Sequence, residues 1–154
     1  MAERPGPTAQ ELYRAMLRDN VAPRLRALGW QGSGQRFTLP DPGAWVQLGF
    51  QSFRFSTADT LEFTINISVI GRPAWETYRD ENPGHPERPN PTFQYSRKLA
   101  PVRIGYLLAD RRDTWWRIST DRPPELTDRT ADEVVQAVCD FAVPEIHRLL
   151  AGPR

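Results

Sequence analysis

Residues 61–70 read LEFTINISVI, and the fold is decided by how this stretch is read. Leu61, Phe63, Ile65, Ile67 and Val69 alternate with Glu62, Thr64, Asn66 and Ser68. A period of two sends the first set to one face of a β-strand and the second set to the other. One apolar and one polar face suit an antiparallel sheet packed on one side. Strands of a doubly covered parallel sheet read instead as unbroken apolar runs. The polar face is then expected to be wet or shared with a partner.

Working outward, Trp45 to Ser56 reads as a long strand with Val46, Leu48 and Phe50 on one face. Phe53 and Phe55 are out of phase with them, so a β-bulge is expected near Gln51–Ser52. Arg36 to Leu39 is a short first strand, stopped by Pro40, Asp41, Pro42 and Gly43, and the glycine-containing Gln31 to Gln35 reads as a turn. Past the central strand, Gly71 to Thr92 contains Pro73, Pro83, Pro86, Pro89 and Pro91. A short helix is expected from Pro73 to Arg79, followed by a proline-stiffened loop. A second strand pair is expected over Val102–Leu108 and Thr114–Thr120, with Ile104, Tyr106 and Leu108 on one face of the first. In the second, Trp116 and Ile118 share a face opposite Trp115 and Arg117.

Helices flank this region. Thr8 and Glu11 have capping-box spacing. Leu12, Met16, Leu17, Val21, Leu25 and Leu28 then recur at helical intervals. Pro23 must kink or split that helix, and Gly29 is placed to end it. A last helix is expected to open at Thr130 with Glu133, and to bury Val134, Val138, Phe141, Ile146 and Leu149. Pro144 should kink it and Gly152-Pro153 should end it. No crossover-length helix separates the strands. The expected class is therefore α+β: one domain over 8–152, after a disordered tail at 1–7. Its antiparallel sheet has about five strands, with the N- and C-terminal helices packed on one face.

At 154 residues, the chain has one domain's length and can support a core without disulfides. The single cysteine, Cys139, leaves no internal disulfide and no cysteine-rich metal site. No apolar run reaches the length of a membrane helix, so no membrane partner is expected. Residues 1–10 lack the apolar core of a secretory signal, and a cytoplasmic location is expected. Net charge is +1, and Lys98 is the one lysine among 20 basic residues. Phe53-Arg54-Phe55 and Trp115-Trp116-Arg117 interleave aromatic residues with arginine, as single-strand binders do. The near-neutral charge and the neighbouring aspartates argue against nucleic acid.

Catalytic signals are sparse. His85 lies in the proline-rich loop and His147 near the end of the last helix. Cys139 neighbours Asp140 rather than the cations that would activate a thiol. Asp110, Asp113 and Asp121 flank a turn, where solvated aspartates are common. No metal-ligand spacing or glycine-rich phosphate loop occurs, so no cofactor and no metal are expected. The polar face of the sheet says more. It would present Gln47, Gln51, Thr64, Asn66, Arg103, Trp115 and Arg117, a mixture suited to recognition.

The order of motifs resembles the family catalogued as domain of unknown function 4304. The resemblance rests on Leu28-Gly29-Trp30, Arg36-Phe37, Val46 to Gln51 (VQLGFQ), Phe63 to Val69 (FTINISV), Arg103-Ile104-Gly105 and Asp113-Thr114-Trp115-Trp116. It spans about residues 8–150. Trp30 stands where the resemblance would place phenylalanine. The resemblance implies a bacterial α+β domain and carries over no activity, cofactor or catalytic residue. The expectation is a non-enzymatic protein- or ligand-binding module, with another protein as partner, in the manner of immunity proteins. The alternative is a small hydrolase-type enzyme with a site at the sheet face or the 71–92 loop, using His85 or Asp113. Oligomeric state is not legible in the sequence.

Overall fold

Strand β4, Thr60–Gly71, forms around the alternating decapeptide and is the centre of the sheet. The computed structural model describes residues 6–152; residues 1–5 of the expected tail, and Pro153 of the expected helix stop, lie outside it. Strand β3, Ala44–Ser52, pairs antiparallel with β4 in one unbroken register from Ala44↔Gly71 to Ser52↔Phe63. Strands β1, Gln31–Ser33, and β2, Arg36–Leu39, form a hairpin that continues the sheet from β3. On the far side of β4 lie two short strands, β5, Val102–Arg103, and β6, Trp116–Ser119. They pair with different stretches of β4, at Asn66–Ile67 and at Thr60–Phe63. The result is a six-stranded antiparallel sheet with helices from both chain ends, an α+β domain.

The helical layer covers the apolar face. Helix α1, Ala9–Met16, is capped as expected, with Thr8 Oγ1 accepting from the Glu11 N–H at 3.2 Å. A π turn over Leu17–Val21 follows, and then α2, Ala22–Ala27, with Pro23 in its first turn. The C-terminal helices repeat the device: α4, Pro124–Ala137, a π turn over Val138–Ala142, and α5, Val143–Ala151, with Pro144 in its first turn. Each proline lacks an N–H, and the wide turn before it absorbs the broken ladder. Gly29, at φ +101°, ends α2, and Trp30 N–H returns to the Leu25 carbonyl at 3.0 Å. Buried between this layer and the sheet are Met16, Leu17, Val21, Val134, Val138 and Ile146, against Val46, Leu48, Phe50, Phe63, Ile65 and Ile67. Each such side chain contributes about 1.5–3 kcal/mol on burial.

Several expectations are corrected. No bulge interrupts β3. It ends at Ser52, and the Phe53 N–H bonds the Glu62 carbonyl at 2.7 Å before the chain turns. Gln31–Ser33 is a strand rather than part of a turn. The expected strand over Val102–Leu108 is two residues of β5 followed by a 3-10 turn at Ile104–Leu107. The last helix opens at Pro124, and Thr130 sits inside it with its hydroxyl donating to the Leu126 carbonyl at 2.9 Å. The π turn also shifts the phase of that helix. Phe141 is exposed, and Ala142 takes the buried position.

The largest correction concerns the polar face, which is mostly covered. Helix α3, Arg72–Glu81, and the chain that follows it fold back over this face. Trp45 and Ile70 point to it and pack with Trp75 of α3, joined by Tyr78, Tyr95 and Leu99, as a second apolar core. Farther along, Pro91 and Thr92 lie so close to Gly49 that a Cβ there would meet Thr92 Cγ2 at 2.7 Å and Pro91 Cγ at 2.9 Å. Gln47, Thr64 and Asn66 are buried beneath this cover rather than presented to solvent.

Candidate functional site

The cover stops short of one end of the sheet, where β3 turns into β4. An open notch of about 420 Å³ remains there, lined by Gln51, Ser52, Phe53, Arg54, Glu62, Arg103, Asp113 and Trp115. Its floor is set by strand register. Gly49 faces Asn66, Gln51 faces Thr64, and Asn66 faces Arg103 across the next strand. Side chains of one face therefore converge without any loop having to position them. Asn66 Nδ2 donates to Gln51 Oε1 at 2.9 Å, and Thr64 Oγ1 donates to the Thr114 carbonyl at 2.8 Å. These bonds satisfy groups that would otherwise be buried without partners.

One wall is a clamp built on Asp113. Its Oδ2 accepts from Arg103 NH1 at 2.7 Å and from Trp115 Nε1 at 3.0 Å. The Arg103 guanidinium lies 5.1 Å from the Trp115 ring centroid. Arg103 and Asp113 are each about one-third exposed, so their attraction is screened and contributes at most about 1 kcal/mol. The effect of the clamp is geometric: it fixes the indole and the guanidinium in one arrangement. The opposite wall is aromatic. Phe53 meets Trp115 edge-to-face at 5.9 Å and Phe55 at 5.4 Å, and Arg54 lies 4.6 Å from the Phe55 centroid.

Of the sequence-derived candidates, Gln51, Asn66, Arg103 and Trp115 come together here, with Thr64 beneath them. Arg117 is exposed on β6, opposite Glu62 of the notch. Gln47 belongs elsewhere. It sits between Thr38 and Ser68 under the cover, and its Oε1 has no hydrogen-bond partner among the described residues. Phe53, Arg54, Phe55 and Glu62 were not among the candidates for this face, and Asp113 was a candidate only for the enzymatic alternative. For Phe53 and Phe55 the signal was the phase break after Phe50, because aromatic residues out of step with the buried face end up in water; Glu62 stood in the polar half of the alternation over 61–70.

Other chemistry is spoken for. His85 is half-buried against Trp75, Tyr78 and Tyr95 at 5.3–6.0 Å, on the rim of the second core. His147 is exposed on α5, and Cys139 is half-buried against the helical core. Among the described residues, no group of three or more His, Cys, Asp or Glu is placed to hold a metal ion. No helix among them is long and apolar enough to cross a membrane.

A family model described as domain of unknown function (DUF4304) matches residues 21–148. No curated protein and no solved structure matches the chain.

Proposed function

The chain belongs to the DUF4304 family, a domain of unknown function, and we propose that it is a non-enzymatic module that recognises another protein through the aromatic end of its sheet. The observation that carries this reading is the exposure of two adjoining phenylalanines backed by Trp115. Phe53 is 43% exposed and Phe55 is 66% exposed; Phe53 is backed edge-to-face by Trp115, and Phe55 packs edge-to-face on Phe53. Full burial of such a ring is worth about 1.5–3 kcal/mol, and a partner covering these half-exposed rings would recover roughly half of that for each. Because the clamp holds Trp115 and Phe53 rests against that indole, less side-chain entropy is lost on docking than for a ring with no neighbour. Tryptophan and arginine beside such rings are the residue types that dominate binding energy at interfaces. Arg54, Arg103 and Arg117 suit a partner that surrounds an apolar knob with carboxylates. A partner-neutralising, immunity-like role in a bacterial cytoplasm fits a preformed patch of this kind, by analogy of architecture.

The enzymatic reading draws no support from Asp113, whose Oδ2 is shared by Arg103 and Trp115, or from His85 within its ring cluster.

The test compares affinity capture from the source cytoplasm by three full-length baits: the wild type, Phe53→Ala/Phe55→Ala, and Leu28→Ala. Leu28 is 52% exposed and does not line the notch. At least one protein should be held by the wild type and by Leu28→Ala, and lost or weakened about 30-fold in the double variant. The melting temperatures should remain close, as for other surface changes. Identical captured sets for all three baits would refute the reading.

A further inference from the structure

At the opposite end of the sheet, where the last rung pairs Ala44 with Gly71, the two apolar cores do not close against each other. A cavity of about 810 Å³ remains in the seam. Val69 and Leu149 line it from the helical side, and Ile70 and Leu99 line it from the second core. Its volume lies in the range of about 300–1,000 Å³ typical of small-molecule sites. Its walls are chiefly aliphatic, proline and glycine, and its charged lining residues are Arg72, Glu76 and Lys98.

Those three charges do not cancel. Both carboxylate oxygens of Glu76 accept from Arg79 NH1, at 3.0 and 3.1 Å, so its charge is already countered. Arg72 stacks on Trp45 at 4.0 Å and gives its Nε–H to the Asp41 carbonyl at 3.2 Å, without an ion pair among the described residues. The Asp41 carboxylate is turned to the Gly43 N–H, at 2.9 Å. Lys98 likewise makes no ion pair among the described residues. An aliphatic hollow lined by two cations without ion-pair partners among the described residues favours a ligand with an apolar tail and a negative head.

We propose that this seam binds a small organic anion of the medium-chain carboxylate class, its tail against Val69, Ile70, Leu99 and Leu149 and its carboxylate at Lys98 and Arg72. The site shares no residue with the aromatic notch, so the two readings stand or fall separately.

Sodium octanoate and 1-octanol, which share a tail and differ in the head, distinguish charge recognition from greasiness. Each is titrated into the full-length protein while backbone amide resonances are followed. Octanoate should produce saturating shifts centred on Val69, Ile70, Gly71 and Leu99, at lower concentration than octanol. Lys98→Gln should weaken octanoate about three- to fivefold, the scale of one solvent-exposed charge contact, and leave octanol unchanged. Ala74→Trp fills the cavity from an exposed position on α3 and should weaken both. Shifts that do not saturate, shifts centred elsewhere, equal binding of the two probes, or no effect of Ala74→Trp would each overturn the proposal.

Discussion

At the scale of single residues, Tyr13 shows how burial becomes a measurable property. It is 3% exposed, its ring is tilted against Phe63 with centroids 4.9 Å apart, and its hydroxyl donates to Gln35 Oε1 at 3.2 Å. Burial raises the phenol's pKa well above its ordinary value of 10.0, because a phenolate would be poorly solvated there. Above pH 10 the unfolded chain therefore releases a proton that the folded chain keeps. Stability falls as pH rises, by up to about 1.4 kcal/mol per pH unit for one such group. Tyr13→Phe removes both the hydrogen bond and this alkaline penalty. Urea unfolding should find the variant about 1 kcal/mol less stable at pH 8. At pH 11 it should be equal to or more stable than the wild type. Every other residue is common to the two proteins, so its contribution cancels in the comparison. An unchanged difference at the two pH values would show that the phenol titrates freely. Residue identity was also where the candidate site was partly legible. Arg103 and Trp115 stood out as an arginine and an aromatic on a polar face, and both line the notch. Gln47 and Thr64 stood on the same face by the same rule, yet they are buried, because strand periodicity tells which face a side chain takes and not what covers that face.

At the scale of elements, local signals succeeded where one period dominated and failed where two competed. The strict alternation over 61–70 became β4 with one added residue at each end. Alternation over Ile104, Tyr106 and Leu108 was too short to separate a strand from a tight turn. Gly105 decides against the strand. Its Cα is packed so tightly that a Cβ would lie 2.4 Å from both the Arg112 carbonyl oxygen and the Thr114 nitrogen, so the chain folds back on itself there. Thr130 and Glu133 have the spacing of a cap, but Pro124, six residues earlier, supplies a first-turn signal and the helix begins there. Gly49 is the matching case between β3 and the covering loop. Gly49→Ala must push Pro91 and Thr92 outward, because a proline ring offers no flexible end that could yield. Such overpacking should cost about 1–3 kcal/mol. Amide exchange should quicken over residues 89–93 in the variant, while Ile65 and Ile67 keep their protection until global unfolding. A stability within about 0.5 kcal/mol of wild type would mean that the loop rests only loosely on the strand.

At the scale of the whole molecule, the sheet separates two cores of unequal size. The helical core spans most of the sheet and joins both chain ends, whereas the second rests on Trp45, Ile70 and Trp75 with partial cover from Tyr78, Tyr95 and Leu99. The sequence displayed the first through its alternating strands. It concealed the second, because Trp45 and Ile70 lie at the next-to-last rung of strands whose middle rungs on the same face are polar, and their partner Trp75 comes from an excursion rich in proline. Such inequality has a thermodynamic consequence. A segment with few buried apolar contacts can open while the rest stays folded, at a free energy below that of global unfolding. Native-state hydrogen exchange should therefore show α3 opening at lower free energy than the amides of Ile65 and Ile67 in β4. Trp75 carries most of the second core: it is fully buried, and its Nε1 donates to the Glu87 carbonyl at 2.8 Å. Trp75→Phe removes that bond and part of the ring. It should lower the α3 opening energy by about 1–3 kcal/mol and leave the β4 value nearly unchanged. If both values fell together, the two cores would form one cooperative unit. The cover over the polar row would then be as permanent as the helical layer itself.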